Sequence, residues 1–458
     1  MQLIIWDKAG PKRVEKLTAQ DFDKKRARLV ARIIEDVRKF GDRALIKYTK
    51  RFDGIELTSK RLRVGEGDIN KAYEQMDVKF VPMLKQILDN IRSFYRKQLR
   101  KSFRLKGKDG IVLVGTYQPL RRVGIYIPGG TAPLVSTVYM TVVPAKVAGV
   151  KEIVIVSPPT KGGDIDPHIL TVANLLGVKE IYRVGGAQAI AALALGTKTI
   201  KKVDKIVGPG NVWVSEAKRQ VYGFCGIDML AGPTEVVILA DRYADTSFVV
   251  SDLLAQSEHI GGINILITIS RKLAEEIRKK VHEGYVIVVR SLKEAADVIN
   301  LIAPEHLQIM IRNPSRIIKR IENFGACFIG PYSPATVGDY VAGPSHVLPT
   351  GGTARFYSAL GVDDFIRRSH LIKYTKEALE KVRDQIGKLA EIEGLELHKG
   401  SIEARFQVPR PVEEEKNPHP LPEVKVPKEA PKEEKGVKEE AEKEDPDKKG
   451  DERGQDQG

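Results

Sequence analysis

Cysteine is almost missing from this chain, with Cys225 and Cys327 the only two in 458 residues. A disulfide framework is excluded, and the usage fits a reducing interior. No run of about eighteen apolar residues occurs, so no membrane span is expected. Met1 to Trp6 is too short, and too soon followed by Asp7 and Lys8, to act as a signal peptide. Aromatic residues are 6% of the chain, and no zinc-finger spacing, basic zipper or aromatic RNA-binding pattern accompanies its positive charge. Gly-x-Gly-x-x-Gly and the P-loop are also absent, which removes the usual dinucleotide and nucleotide fingerprints. These absences predict a soluble cytoplasmic protein without a membrane partner, and they give no support to nucleic-acid binding.

The chain has 42% hydrophobic residues and a length suited to two or more domains. Its net charge of +15 is unevenly spread, because the stretch from Pro411 onward holds 16 acidic and 10 basic residues. The body is therefore the basic part, which suits phosphate-bearing cofactors as well as it suits solubility. The Lys, Glu and Pro repeats of that tail include no aromatic residue and cannot bury enough apolar surface to fold. Residues 410–458 are predicted to be disordered.

Helical periodicity covers Asp23 to Phe52 and Ile69 to Arg104. Short β-rich runs then alternate with helical ones: Val123 to Ile127, Glu152 to Ser157, Glu180 to Val184 and Lys205 to Val207, each followed by a helix. A second series begins at Ile263 to Ile269 and continues through Tyr285 to Val289, Gln308 to Ile311 and Ala326 to Ile329. Strand-helix alternation of this kind predicts parallel sheets covered by helices, hence an α/β protein. The expected units are a mostly helical 1–110, α/β domains at 111–240 and 241–368, and a helical segment at 369–409. Three glycine-bearing turns, Pro128-Gly129-Gly130-Thr131, Gly185-Gly186-Ala187-Gln188 and Gly208-Pro209-Gly210-Asn211, close strands where such sheets collect ligands. Taken alone they are tight βα loops.

Two polar clusters point to chemistry. Ala303-Pro304-Glu305-His306 sets two proton-transfer groups side by side after a proline that can open a helix. An isolated pair of this kind reads as a polar helix start. Gln256 and His259 are spaced for one face of a helix beginning near Asp245, and Asp339 and His398 add further nitrogen and oxygen donors. Such a set suits zinc, cobalt or manganese in a catalytic site, although spacing alone does not bring the four together. Neither cysteine has an adjacent base or cation, so a thiolate nucleophile finds little support.

The runs Val123-Gly124-Ile125-Tyr126-Ile127-Pro128-Gly129-Gly130, Gly208-Pro209-Gly210-Asn211, Ala231-Gly232-Pro233-Thr234-Glu235, Ala255-Gln256-Ser257-Glu258-His259, Ala303-Pro304-Glu305-His306, Gly338-Asp339-Tyr340 and His346-Val347-Leu348-Pro349-Thr350 resemble histidinol dehydrogenase, in that family's order, from about Trp6 to Phe406. The resemblance implies NAD-dependent oxidation of L-histidinol to L-histidine through the aldehyde, in the last steps of histidine biosynthesis. It implies two incomplete Rossmann-like domains, and an intertwined homodimer whose C-terminal segments complete the partner's sites. Zinc would be held by Gln256, His259, Asp339 and His398, the last reaching across from the partner. Glu305 and His306 would be the acid-base pair, with Tyr126, Gln188 and Asn211 contacting NAD. Substrate would meet Thr234 and Glu393 besides the metal ligands and His306. Thr234 and Ser345 stand where the family often has Ser and Asn, which removes no group the reaction needs. Another metal-dependent NAD alcohol or aldehyde dehydrogenase is the alternative reading.

Overall fold

A computed structural model describes residues 1–407 apart from 8–9, 19–22, 130–131 and 260. The tail expected to be disordered, and Gly130 and Thr131 of the first glycine turn, lie outside the described residues.

Two parallel sheets carry the α/β body. The first has five strands, in the order Glu180–Arg183, Glu152–Ser157, Arg122–Tyr126, Lys205–Val207, Gly226–Ile227. Its side chains alternate between faces as the pleat demands. Val123, Ile125, Ile153 and Ile155 enter a core under the helices Val135–Ala148 and Pro167–Leu175. Val154, Val156, Tyr182 and Ile206 enter another, under Lys24–Phe40, Gly186–Leu195 and Val212–Val221. Burial on both faces explains why these strands read as nearly continuous apolar runs.

The second sheet repeats the same order with one added edge: Gln2–Ile5, Tyr285–Val288, Ile263–Thr268, Glu235–Ala240, His306–Met310, Ala326–Ile329. All its pairings are parallel. Two expectations are corrected here. Glu235–Ala240, assigned from sequence to the domain ending at 240, is the inner strand of this second sheet. Gln2–Ile5, assigned to a helical N-terminal unit, extends its edge.

A third, antiparallel sheet joins Phe103–Lys106, Val112–Pro119 and Ile366–Lys373. The last of these, from Ser369 on, was expected to be part of a helical segment. Exposure alternates along it from Arg368 to Lys373, the period of two of a half-exposed strand. Three short helices follow, Lys376–Glu380, Arg383–Ile392 and Glu396–Glu403. Among the described residues no helix is long and apolar enough to cross a membrane.

Candidate active site

The parallel pairing of His306 with Val236 brings together the residues that enter two neighbouring strands. The helix Leu292–Ile302 ends in Ala303, whose φ of 51° is left-handed. Pro304 bars the preceding residue from continuing a helix, so the chain turns extended and His306 opens a strand. The expectation that Pro304 starts a helix is thereby corrected. Glu305 and His306 sit instead at the amino edge of the second sheet, both buried.

Around Glu305 the hydrogen bonds converge. Its Oε2 accepts from the Thr234 hydroxyl at 2.5 Å and from the Glu235 N–H at 2.9 Å. The Gln256 side-chain amide donates to the Thr234 hydroxyl at 3.1 Å, which leaves the Gln256 carbonyl oxygen for another partner. Glu235 is fully buried: its Oε1 accepts from the Gly351 N–H at 3.1 Å, and its Oε2 has no hydrogen-bond partner. Burial, and then the adjacent Glu305 carboxylate, push the Glu235 pKa up to about 8.

His306 lies 3.3 Å from the Glu235 backbone carbonyl through Nδ1 and 3.5 Å from Glu305 Oε2 through the same atom. Both neighbours are acceptors, so the network assigns the proton to Nδ1. Nε2 is 3.5 Å from Asp339 Oδ1 and makes no hydrogen bond. Burial works against a charged ring, yet the Glu305 and Asp339 carboxylates outweigh it and push the His306 pKa up to about 10. His346 is fixed beside it, with Nδ1 on the Asp339 backbone carbonyl at 2.9 Å and Nε2 accepting from the Thr137 hydroxyl at 3.2 Å. Burial lowers the His346 pKa, keeping that ring neutral and structural.

A cavity of about 100 Å³ opens onto this cluster, lined by Thr234, Glu305 and His346 on one side and by Gly208, Pro209 and Gly210 on the other. Glu305 and His306 thus lie between the amino edge of the second sheet and the carboxyl edge of the first. Gly208 has φ +113°, and a Cβ there would stand 2.2 Å from the Tyr126 carbonyl oxygen. Only glycine allows these two strand ends to approach so closely.

Across that loop lies a larger cavity of about 490 Å³, and Tyr126, Gln188 and Asn211 all line it. The Tyr126 hydroxyl accepts from the Gly186 N–H at 3.2 Å, and burial pushes its pKa up to about 12. Asn211 caps the helix Val212–Val221 through Oδ1, leaving its amide N–H groups free for a ligand. Gln188 is buried, and its carbonyl oxygen has no partner. Unspent donors and acceptors on one apolar cavity at a strand-order reversal fit a dinucleotide.

The expected metal ligands are spread more widely. Gln256 is on the last turn of the helix Thr246–Ser257, whereas His259 lies just past its end and is exposed. The shared helical face expected from their spacing is therefore not what relates them; the His259 N–H bonds the Gln256 carbonyl at 3.2 Å in the turn that ends the helix. Asp339, on the helix Ala335–Tyr340, is half-buried beside His306. His398 and Glu393 are exposed on the C-terminal helical segment. Among the described residues no three His, Cys, Asp or Glu side chains of the one chain are gathered to hold a metal. The nitrogen and oxygen donors offered by Gln256, His259 and Asp339 nevertheless suit zinc. Neither thiol competes as a nucleophile, since burial pushes Cys225 and Cys327 each up to about 11.

Sequence reasoning missed Glu235 as the carboxyl behind Glu305. It also missed a buried ion pair in which Lys218 Nζ donates to the Gly208 carbonyl at 2.8 Å and to Asp228. The apolar run after Glu235 signalled a strand entering the core, but nothing in the sequence signalled the Lys218–Asp228 pair.

The family model described as histidinol dehydrogenase matches residues 16–406. A histidinol dehydrogenase of Listeria monocytogenes is 49% identical over 397 residues, covering 82% of this chain and 92% of its own. One from Clostridium acetobutylicum is 46% identical over 394 residues, covering 82% and 91%. The crystal structure of histidinol dehydrogenase from Elizabethkingia anophelis superposes with a TM-score of 0.83 at 36% identity, covering 89% of this chain and 98% of that one.

Proposed function

The chain belongs to the histidinol dehydrogenase family, an oxidoreductase family of histidine biosynthesis, and from that premise we propose how its residues divide the work. The substrate is L-histidinol, oxidised to L-histidinaldehyde and then, after hydration, to L-histidine. In its neutral ring, which requires the Asp339 charge to be engaged elsewhere, His306 takes the alcohol proton at Nε2, the nitrogen that carries no hydrogen bond, while the Glu235 carbonyl holds Nδ1–H and so fixes the tautomer. Glu305, anchored through Oε2 by Thr234 and the Glu235 N–H, draws a proton from the water that adds to the aldehyde. Thr234 thus orients Glu305 and also faces the substrate. When bound, NAD would accept hydride in the 490 Å³ cavity, and zinc would orient the substrate's imidazole and amine and draw the Asp339 charge away from His306.

We place NAD against Tyr126, Gln188 and Asn211, and zinc on Gln256, His259 and Asp339, with His398 and Glu393 supplied by the partner of a homodimer. Exposed apolar side chains beside them, Ile392 at 70% and Leu397 at 91%, support a partner surface there. Two cysteines with no disulfide between them support a reducing, cytoplasmic setting. The observation that carries the reading is the buried contact of Glu305 with His306 at the mouth of the cavity joining the two sheets. Its test is NADH formation by two variants. Glu305→Gln should still oxidise histidinol to the aldehyde but convert supplied histidinaldehyde poorly, whereas His306→Ala should lose about 10²- to 10⁴-fold on both substrates. Equal losses on both substrates for Glu305→Gln would overturn the division of labour.

A further inference from the structure

Among the described residues, the 490 Å³ cavity holds a buried carboxylate oxygen with no hydrogen-bond partner. Asp53 ends the helix Asp42–Asp53 and lines the cavity, yet its Oδ2 is buried and meets no hydrogen-bond donor. Three features oppose an aspartate here. Burial pushes its pKa up to about 6; the negative end of the helix dipole faces it; and among the described residues no cation forms an ion pair with it. Lys47, on the same cavity wall, pairs with Asp36 instead, at 3.1 Å. An unpaired buried acceptor of this kind costs stability unless a ligand supplies the donor.

The fold indicates which donor. In a sheet of this strand order, the acidic residue that reads the adenosine ribose stands at the tip of the second strand, where it accepts from the 2′-hydroxyl. Here that strand is Glu152–Ser157, and Pro158 and Pro159 follow it. Pro158 lines the cavity, and no carboxylate occupies the tip. Asp53 arrives at the same cavity from outside the sheet, on a helix of the N-terminal segment. Resting on the reading of this cavity as the NAD site, we propose that Asp53 accepts the hydroxyls of the adenosine ribose and is the residue by which this chain selects NAD over NADP. A 2′-phosphate would place negative charge against the carboxylate. Arg32 and Arg51, also on the cavity wall, remain for the pyrophosphate.

Trp213 lines the cavity too, so its fluorescence reports binding without turnover. Titrate the full chain, and the variants Asp53→Asn and Asp53→Ser, with NAD, with NADP and with NAD bearing a 2′-deoxyadenosine; thermal unfolding of each shows that it is folded. The unaltered chain should bind NAD about ten- to a hundredfold more tightly than the deoxy analogue, the worth of a hydrogen bond to a charged acceptor. Both variants should bind the two alike and lose most of the discrimination against NADP. If the variants keep the full NAD-to-deoxy ratio, Asp53 does not read the ribose and the proposal fails while the NAD site stands. Should the unaltered chain bind neither NAD nor NADP, the reading of the cavity fails and this proposal with it.

Discussion

Replacing Lys218 with methionine is the sharpest test of how the Gly208–Asn211 loop is held. The Lys218 and Asp228 side chains are 2% and 0% exposed, and between them they satisfy every polar group of the loop's first residue. Lys218 Nζ donates to the Gly208 carbonyl at 2.8 Å, and Asp228 Oδ2 accepts the Gly208 N–H at 2.8 Å. Asp228 Oδ1 also accepts the Met229 N–H at 2.7 Å. Methionine preserves the apolar stem, so packing is largely kept and the loss is electrostatic. Asp228 would remain buried with two backbone donors and no cation, a state that costs about 3–5 kcal/mol. In the double variant Lys218→Met/Asp228→Asn the uncompensated charge is gone, and only about 1–2 kcal/mol should remain lost through the weakened hydrogen bonds. Urea unfolding followed by Trp213 fluorescence measures both, and the KM for NAD should rise in the single variant because Asn211 is three residues beyond Gly208. A single variant that loses less than about 1 kcal/mol, or as little as the double, would refute this account of the pair.

Removing zinc by chelation should abolish turnover while circular dichroism stays native, with activity returning on adding zinc; full activity in metal-free protein would sink the metal assignment. Co-expression of His306→Ala with His398→Ala should restore about a quarter of normal activity, because half of randomly paired dimers are mixed and each mixed dimer has one intact site. No recovery, with mixed dimers confirmed by differential tags, would place all ligands within one chain. The Glu235 carboxyl, raised from the ordinary 4.5 to about 8, stays protonated in the fold while the unfolded chain ionises, so it makes stability fall as pH rises between those values. Glu235→Gln should flatten the Tm over that window, and an unchanged slope would show that the carboxyl is not held neutral.

Much of this arrangement was legible because it depends on local pattern. Strand-helix alternation announced both sheets, and Gly186 and Asn211 of the glycine turns do share a cavity with Tyr126. What escaped depends on position in space. The run Val236-Val237-Ile238-Leu239-Ala240 has no periodicity that separates a buried strand from a buried helix, and its place in the second sheet follows only from pairing with Ile263–Thr268 and His306–Met310. Ala303-Pro304 suggested a helix start because proline is favoured there, yet proline equally ends the helix before it. Lys218, Asp228 and Asp53 are ordinary charges in the sequence. Their burial alone makes them informative, and burial of a charge is what a one-dimensional pattern hides.

The two sheets share a strand order but use opposite edges, and this asymmetry explains where the reaction is confined. In the first sheet the order reverses between Arg122–Tyr126 and Lys205–Val207, and the 490 Å³ cavity opens at the carboxyl ends of those strands. The equivalent point of the second sheet lies beyond Ala240 and Met310. There Asp241 accepts the Tyr243 N–H at 2.9 Å and the Arg312 N–H at 3.1 Å. A carboxylate of the chain itself thus takes these two backbone donors at the carboxyl edge of the second sheet. Its opposite edge bears Thr234, Glu305 and His306, and the segment from Asp228 to Thr234 runs directly from the clamp on the Gly208–Asn211 loop to the hydroxyl that anchors Glu305. Any shift of one sheet against the other would therefore alter the distance between the 490 Å³ cavity and the Glu305–His306 pair, and this short segment is a direct covalent link between the two.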